Sequence, residues 1–305
     1  MVQDVVKNER IAIIGSGGIG GYLAAQLQAA GHDVVLCVRT PFEKLVIVEQ
    51  DGKETTVPVR IATDPSAEQP AKWILVTTKA QDVPGAAEWL KHLNGPGSVS
   101  VVIQNGIDHE ERVRPFLPAD ATVLPSIIIC AVERTEPGRI VHHFGAKITV
   151  PAGPDSDAFA RLFAGTVFEI EASSTFLTVA WSKLLSNAMA NPLTALTLRR
   201  NAVFDDERMR ELARAVGREV LAVSKAVGAT IPDTAIETIL AGFSKMRSGG
   251  SSMMYDRLAE RPMEFQFITG AVVAAAERHG IDVPVNRTIL ALLSGASGHR
   301  LDGSA

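Results

Sequence analysis

Residues 10–31 read RIAII, GSGGIG and GYLAAQLQAAG in succession: an apolar run, a glycine cluster and a helix-like segment. The glycines at 15, 17 and 20 have the GxGxxG spacing that joins a strand to a helix in dinucleotide-binding units. In such loops the first glycine permits a tight turn, the second lets the backbone approach a pyrophosphate, and the third allows close helix packing. The stretch therefore predicts a Rossmann-type unit with an anion site at a helix N-terminus.

The predicted cofactor contacts of this loop are Gly15, Ser16, Gly17, Gly18, Ile19 and Gly20. The next predicted strand, HDVVLCV, is followed by Arg39, where NAD-dependent proteins usually carry an acidic residue for the ribose diol. An arginine suits the 2'-phosphate of NADP, so the sequence predicts NADPH as the cofactor. A glycine-rich turn that binds nothing and an ordinary surface arginine are the alternatives.

Polar residues also follow two further predicted strands. Thr77, Thr78 and Lys79 end the strand WILVTT, and Gln104 and Asn105 end the next one. Open α/β sheets bind ligands at the carboxyl edge of their strands, so ligand contact is the favoured interpretation. Helix capping or turn formation is the alternative.

The first half of the chain alternates short apolar runs with helical patterns, which predicts βαβ units and a largely parallel sheet. The candidate strands are 10–14, 33–38, 73–77, 98–103 and 122–128, and the candidate helices are 19–30, 83–93 and 108–116. A hairpin of 139–143 and 147–150, turning near Gly145, is expected to close this half. His142 and His143 have no cysteine or carboxylate at ligand spacing nearby, so no metal site is predicted.

After about residue 172 the strand signals disappear and helical patterns follow. The candidate helices are 174–191, 205–227, 232–245, 262–279 and 285–294. The predicted fold class is α/β, with an N-terminal Rossmann dinucleotide-binding domain at 1–172 followed by an all-α C-terminal domain at 173–305.

The segment 181–195, WSKLLSNAMANPLTA, carries an unusual polar line. Lys183, Asn187 and Asn191 are four residues apart, and four helical residues advance about 400°, so the three share one face. Such a face must be solvated, paired or presented to a ligand. An internal hydrogen-bond network is the alternative to a ligand site. Because Pro192 disfavours helix at the residue before it, the helix is expected to kink or end at Asn191.

A second polar stretch, GGSSMMYDRLAERPMEF, occupies 249–265. Ser251 and Ser252 are suited to cap a short helix, and Pro262 fits the first turn of a longer one. Glu264 is then either favoured by the helix dipole alone or directed at the Lys183 face. Asp256 is equally ambiguous, with Arg257 as a surface partner.

Composition limits the classes of function. Of the 305 residues, 46% are hydrophobic and 21% charged, which is typical of a globular protein. The formal net charge of -4 argues against nucleic acid or an anionic membrane as a partner. The two cysteines, Cys37 and Cys130, lie in apolar runs and fit a reducing compartment. A charged N-terminus and apolar runs far shorter than the roughly 20 residues of a membrane span predict a cytoplasmic protein.

Several motifs occur along the chain in one order: GSGGIG, Arg39, TTKAQD, IQNG, PGRIVHHFG, WSKLLSNAMANPLTA and SSMMYDRLAERPMEF. In this combination the chain resembles the ketopantoate reductase (2-dehydropantoate 2-reductase) family over about residues 10 to 292. The resemblance implies a Rossmann domain, a helical domain and NADPH-dependent reduction of ketopantoate to pantoate, a step toward pantothenate and coenzyme A.

The resemblance also implies roles for single residues. Lys183 would be the general acid, and Glu264 would orient it or the substrate's hydroxyl. Asn187 and Asn191 would bind that hydroxyl, and Ser252 the carboxylate. Hydride addition to a ketone develops negative charge on oxygen, which a positioned ammonium stabilises and protonates.

Lys79 and Asn105 match positions on the nicotinamide and ribose side, and Asn105 is expected to contact the substrate as well. Asp256 matches an acidic position near the active site. The expected partners are a small 2-keto acid and a second copy of the chain in a homodimer. The alternatives are a reductase of another small 2-keto acid, a β-hydroxyacid dehydrogenase, and a non-catalytic NADPH-binding sensor.

Overall fold

The chain divides into an α/β unit and a helical unit. The structure, a computed structural model, describes residues 9–297, so most of the charged N-terminal segment and of the C-terminal tail lies outside the described residues. The α/β unit comprises residues 9–104 and 109–176, and the helical unit comprises 105–108 and 177–297. The segment Asn105–Asp108 thus groups with the helical unit. The domain limits given above, 1–172 and 173–305, stay a prediction.

The α/β unit holds eleven strands and the first four helices. In chain order they are β1 (Arg10–Ile14), α1 (Gly18–Ala29), β2 (Asp33–Cys37), β3 (Leu45–Val48), β4 (Glu54–Val57), β5 (Arg60–Ala62), β6 (Trp73–Val76), α2 (Ala87–Leu93), β7 (Val99–Val102), α3 (His109–Val113), β8 (Thr122–Pro125), β9 (Ile127–Glu136), β10 (Arg139–Pro151), α4 (Ser156–Leu162) and β11 (Glu169–Ser173).

The first sheet has six parallel strands in the order β5, β2, β1, β6, β7, β8. Every residue of β6 and β7 is buried, as is usual for strands covered on both faces. Because all six strands run the same way, their carboxyl ends meet at one edge, where open α/β sheets bind ligands. The Rossmann-like fold class predicted from the sequence is confirmed.

The second sheet corrects the predicted hairpin. Its path is β11, β10, β3, β4, with β9 paired antiparallel to β10. The turn that joins β9 to β10 contains Gly138, which has φ of +78°. Gly145 has φ of +76° but lies inside β10, beside a register shift against β9. The hairpin turning near Gly145 is therefore wrong, because this glycine accommodates an irregularity within one long strand.

Helix α1 is packed between the two sheets. Its residues Tyr22, Leu23 and Leu27 belong to the same buried cluster as Leu36 of the first sheet and Ile140 of the second. Packing on two sides fixes the helix and therefore the loop that opens it.

The helical unit contains six helices: α5 (Phe176–Thr197), α6 (Glu207–Ala226), α7 (Ala235–Lys245), α8 (Ser252–Leu258), α9 (Phe265–Arg278) and α10 (Pro284–Ala296). Helix α5 continues through Pro192, so the expected end at Asn191 is wrong. An internal proline costs a helix about 3 kcal/mol, yet Asn191, Pro192 and Leu193 are all buried, and their packing offsets that cost. Within residues 9–297, no helix is both long and apolar enough to cross a membrane.

Candidate functional site

The glycine loop between β1 and α1 has a backbone that accepts only glycine at two positions. Gly15 has φ of +109°, in the region that side chains rarely adopt. A Cβ on Gly20 would collide with the carbonyl oxygen of Gly15 and with Thr77 Oγ1. A Cβ on Gly17, by contrast, would meet nothing within 4 Å, so this part of the backbone borders open space. No described side chain caps α1, so the amides of its first turn fit a pyrophosphate.

The ends of β6 and β7 are tied together by Gln104. Its Nε2 donates to the carbonyl oxygen of Thr78 at 2.8 Å, and its Oε1 accepts from Arg112 at 2.9 Å. His109 Nε2 lies 2.9 Å from the Gln104 carbonyl oxygen. Burial lowers the pKa of His109 to about 4, so the ring is neutral near pH 7 and donates through Nε2. These bonds fix the backbone at the carboxyl edge beside the glycine loop.

Two cationic residues lie at that same edge. Arg39 follows β2 and is exposed, and Lys79 follows β6 and is half-buried. Because β2 and β6 flank β1 in the sheet, both residues lie at the strand ends next to the glycine loop. The α/β unit therefore presents backbone amides with a cation near each side, which fits a phosphorylated dinucleotide.

The polar face of α5 is present in the helical unit. Asn191 is buried with 5% of its surface exposed, while Lys183 and Asn187 are half-buried. Trp181, Leu184 and other neighbours on α5 pack into the apolar core. The polar face is therefore carried by a helix whose other sides are buried. Desolvation lowers the pKa of the Lys183 ammonium below its usual range. No hydrogen bond or ion pair of this ammonium occurs in the part of the chain that the structure describes.

An amide and a carboxylate from distant segments join this face. Glu264 is the N-cap residue of α9 and is 4% exposed. Its Oε2 accepts from Asn105 Nδ2 at 2.9 Å, and Asn105 Oδ1 lies 3.4 Å from Asn187 Nδ2. Asn105 thus links the carboxylate to the α5 face, a contact that the sequence spacing did not predict. Pro262 lies before α9 rather than in its first turn.

The serine stretch separates into two different residues. Ser251 caps α8, with its side chain accepting from Met254 N at 3.1 Å. Ser252 is exposed, and its hydroxyl makes no hydrogen bond within the described chain. Asp256 is buried and accepts from Arg261 Nε at 3.1 Å, so the alternative of a surface pair with Arg257 is not what the structure shows. The carboxylate of Asp256 points to a partner five residues on rather than to its neighbour.

Thr194 is a further polar residue of α5 that the sequence reasoning missed. Its hydroxyl lies 2.7 Å from Ser251 Oγ, which connects α5 to the serine stretch. The signal was available, because Thr194 follows Asn191 by three residues and so continues the same helical face. Among residues 9–297, no group of three or more His, Cys, Asp or Glu side chains is placed to hold a metal ion.

Comparisons with known proteins identify the family of the chain. The family described as ketopantoate reductase PanE/ApbA matches residues 11–155, and its C-terminal counterpart matches residues 175–297. The 2-dehydropantoate 2-reductase of Caulobacter vibrioides is 38% identical, with 94% of this chain and 99% of that protein covered. The enzyme of the same description from Mycobacterium tuberculosis is 33% identical, with 94% and 97% covered.

Solved structures are similar as well. The crystal structure of 2-dehydropantoate 2-reductase from Geobacter metallireducens superimposes with a TM-score of 0.88 at 28% identity, with 94% of this chain and 99% of that chain covered. The similarity extends over both units of the chain, since one matched family segment lies at residues 11–155 and the other at residues 175–297.

Proposed function

The chain belongs to the ketopantoate reductase family, and from this premise we propose that it reduces the 2-keto group of ketopantoate to pantoate with NADPH. The observation that carries the proposal is the desolvated ammonium of Lys183, which has no protein partner among the described residues. Desolvating an unpaired charge is costly, so such a group is a candidate for function. Its position beside Asn187 and Asn191 leaves it available to an oxygen atom of a ligand.

Lys183 is the proton donor in this proposal. When bound, NADPH supplies a hydride to the carbonyl carbon, and the π electrons of the C=O bond move to the oxygen. Lys183 Nζ stabilises the developing alkoxide by its charge and then donates a proton to it, which forms the hydroxyl of the product. Its lowered pKa makes the ammonium a stronger acid than an ordinary lysine. The neutral amine is then protonated again from water.

The amides and the carboxylate give the substrate its orientation. Asn187 and Asn191 bind the substrate's hydroxyl through side-chain amides on the face that carries Lys183. Asn105 lies between Asn187 and Glu264, so the carboxylate fixes the direction of the Asn105 amide and, through it, that of Asn187. A single lysine is a compact charge without directional preference, so such neighbours are needed to select one geometry.

The remaining contacts are assigned by chemistry. Ser252, with its free hydroxyl, binds the substrate's carboxylate. In the α/β unit the glycine loop binds the pyrophosphate and Arg39 binds the 2'-phosphate that distinguishes NADPH from NADH. Lys79 and Asn105 are assigned to the nicotinamide and its ribose.

The test is NADPH oxidation by the purified protein with three compounds: ketopantoate, 2-ketoisovalerate and ketopantoyl lactone. 2-Ketoisovalerate lacks only the hydroxyl that Asn187 and Asn191 bind, whereas the lactone lacks both that hydroxyl and the free carboxylate that Ser252 binds, because its ring ester joins the two groups. A site built to hydrogen-bond a group rejects an analogue that lacks it, so kcat/KM for ketopantoate should exceed both others by at least about 100-fold.

Each other outcome identifies an alternative. Equal kcat/KM for ketopantoate and 2-ketoisovalerate indicates a reductase of another small 2-keto acid. Oxidation of a 3-hydroxy acid in preference to pantoate indicates a β-hydroxyacid dehydrogenase. Tight NADPH binding with no turnover of any keto acid indicates a sensor. The homodimer and the cytoplasmic location stay predictions.

A further inference from the structure

Thr194 extends the polar face of α5 beyond Asn191. It follows Lys183 by eleven residues, and eleven helical residues advance about 1100°, which is only about 20° more than three full turns. Its side chain is fully buried, with 0% exposed, and its neighbours Leu193 and Ala195 pack into the apolar core. A hydroxyl in that environment needs partners within the protein.

The hydroxyl of Thr194 is the middle of a chain of three hydrogen bonds. Thr194 Oγ1 donates to the carbonyl oxygen of Ala190 at 2.8 Å, and it lies 2.7 Å from Ser251 Oγ. Because its own proton goes to Ala190, Thr194 Oγ1 accepts the hydroxyl proton of Ser251. Ser251 Oγ accepts in turn from Met254 N at 3.1 Å. Removal of the Thr194 hydroxyl would leave the Ser251 hydroxyl without its acceptor.

Helix α8 is also tied to α5 at its other end. Arg257 Nη1 donates to the carbonyl oxygens of Ala195 at 2.5 Å and Leu196 at 3.1 Å. With Ser251 bonded to Thr194 before its first residue and Arg257 bonded near its last, α8 is fastened to α5 at both ends. Ser252 begins α8, so its position relative to the α5 face is set by these two attachments.

We propose that Thr194 is a positioning residue that sets the distance between Ser252 and the amides of α5, and thereby tunes selection of a substrate carboxylate. The inference rests on the proposed function, in which Ser252 binds that carboxylate. The side chain of Ser252 is exposed and bonds to nothing in the described chain, so the backbone from Ser251 determines where it lies. Loss of the bond to Thr194 releases Ser251 and with it Ser252.

The experiment compares Thr194→Val, which keeps the shape and removes the hydroxyl, with Thr194→Ser, which keeps the hydroxyl. Thr194→Val should raise KM for ketopantoate roughly tenfold, the value of one hydrogen bond, with KM for NADPH unchanged and kcat less affected. Thr194→Ser should restore most of the loss. The matched control is Thr197→Val, because Thr197 donates to the Leu193 carbonyl oxygen at 2.6 Å on the same helix and, within the described chain, makes no hydrogen bond to α8.

A double variant separates positioning from packing. If Thr194 acts through Ser252, then Thr194→Val combined with Ser252→Ala has the KM for ketopantoate of Ser252→Ala alone. Two effects that multiply would overturn the proposal, and so would an unchanged KM for ketopantoate or an equal rise in KM for NADPH. If Thr194→Val does not fold, Ser251→Ala removes the same bond from the other side together with the bond from Met254 N, and it must raise KM for ketopantoate at least as much with KM for NADPH unchanged. A parent protein that binds NADPH but does not reduce ketopantoate rejects the proposed function instead.

Discussion

The glycine loop of the α/β unit and the polar face of α5 are both suited to bind ligand groups, but they are built differently. The loop offers backbone amides, and its shape depends on positions such as Gly20 where no side chain fits. The α5 face offers side chains, and its organisation depends on Asn105 and Glu264, which are 159 residues apart in the chain. A short sequence motif can therefore encode the whole of the first site but only a part of the second.

The cationic side chains of the two regions also differ in their exposure to solvent. Arg39 is exposed at the sheet edge, where a planar guanidinium is suited to bind a phosphate. Lys183 is desolvated, which lowers the pKa of its ammonium. The ammonium therefore releases its proton more readily than that of an ordinary lysine. In the proposed function, the α/β unit binds the cofactor and the helical unit transfers the proton.

The largest expected effect is that of Lys183→Met, which removes the proton donor and the charge that stabilises the alkoxide. Turnover of ketopantoate should fall by about 1,000-fold or more. The thermal unfolding temperature should stay equal or rise, because methionine places no desolvated charge on the helix. The measurements are kcat and calorimetric unfolding. Lys225→Met, at an exposed lysine paired with Asp233, is the control and should change kcat little.

The pH dependence of the parent protein follows from the same lysine. Proton donation needs the ammonium, so kcat should fall as pH rises through the pKa of Lys183, at a lower pH than for an ordinary lysine of pKa 10.5. The effect on stability has the opposite sign. Between the lowered pKa and the ordinary one the unfolded chain binds more protons, so the contribution to stability rises with pH there. A kcat profile that is flat up to pH 10.5 would contradict the role of Lys183.

The second effect concerns the backbone site. In Gly20→Ala the new Cβ would collide with the Gly15 carbonyl oxygen, so the loop must shift and its amides move away from the pyrophosphate. Strain of about 3 kcal/mol predicts a loss of NADPH affinity of roughly 100-fold, together with a lower unfolding temperature. NADPH binding is measured by titration calorimetry, and the unfolding temperature is measured on the protein without NADPH.

Two glycine variants sharpen this test. In Gly17→Ala the Cβ meets no protein atom within 4 Å, so NADPH affinity should fall while the unfolding temperature of the free protein stays the same. Gly153→Ala adds a Cβ in open space elsewhere in the α/β unit and should change neither quantity. If Gly20→Ala and Gly17→Ala both bind NADPH like the parent, the loop is a structural turn and not a phosphate site.

The fold was predictable where the sequence pattern is local and periodic. Strand β1, the glycine loop and helix α1 agree with the prediction to within a residue or two, because buried parallel strands read as continuous apolar runs. Strands β3, β4 and β5 were missed, since they are three or four residues long and Glu54, Thr55 and Thr56 are exposed. The long pairing of β9 with β10 was also missed, because Gly145 reads as a turn when only its neighbours are considered.

The candidate site was likewise predictable only where its residues are close in sequence. Helical spacing was enough to place Lys183, Asn187 and Asn191 on one face, and the structure keeps them on one helix. Spacing did not predict that Asn105 pairs with Glu264. Asn105 lies in the loop after β7 and Glu264 at the start of α9, and only the tertiary fold brings these two segments together. Thr194 was within reach of the same periodic reasoning, but its partner Ser251 lies 57 residues away.

The smallest expected effect is that of Arg39→Asp, which separates the two cofactors and leaves the α5 face untouched. An aspartate repels the 2'-phosphate and suits a free ribose diol, so KM for NADPH should rise roughly tenfold while KM for NADH stays equal or falls. Arg161→Asp, at an exposed arginine of α4, gives the same change of charge away from the strand ends and should leave the cofactor preference as it is. A parent protein that prefers NADH would refute the role of Arg39. In the proposed mechanism kcat with saturating cofactor depends on Lys183 and not on Arg39, so an unchanged kcat in Arg39→Asp would separate cofactor binding from proton transfer.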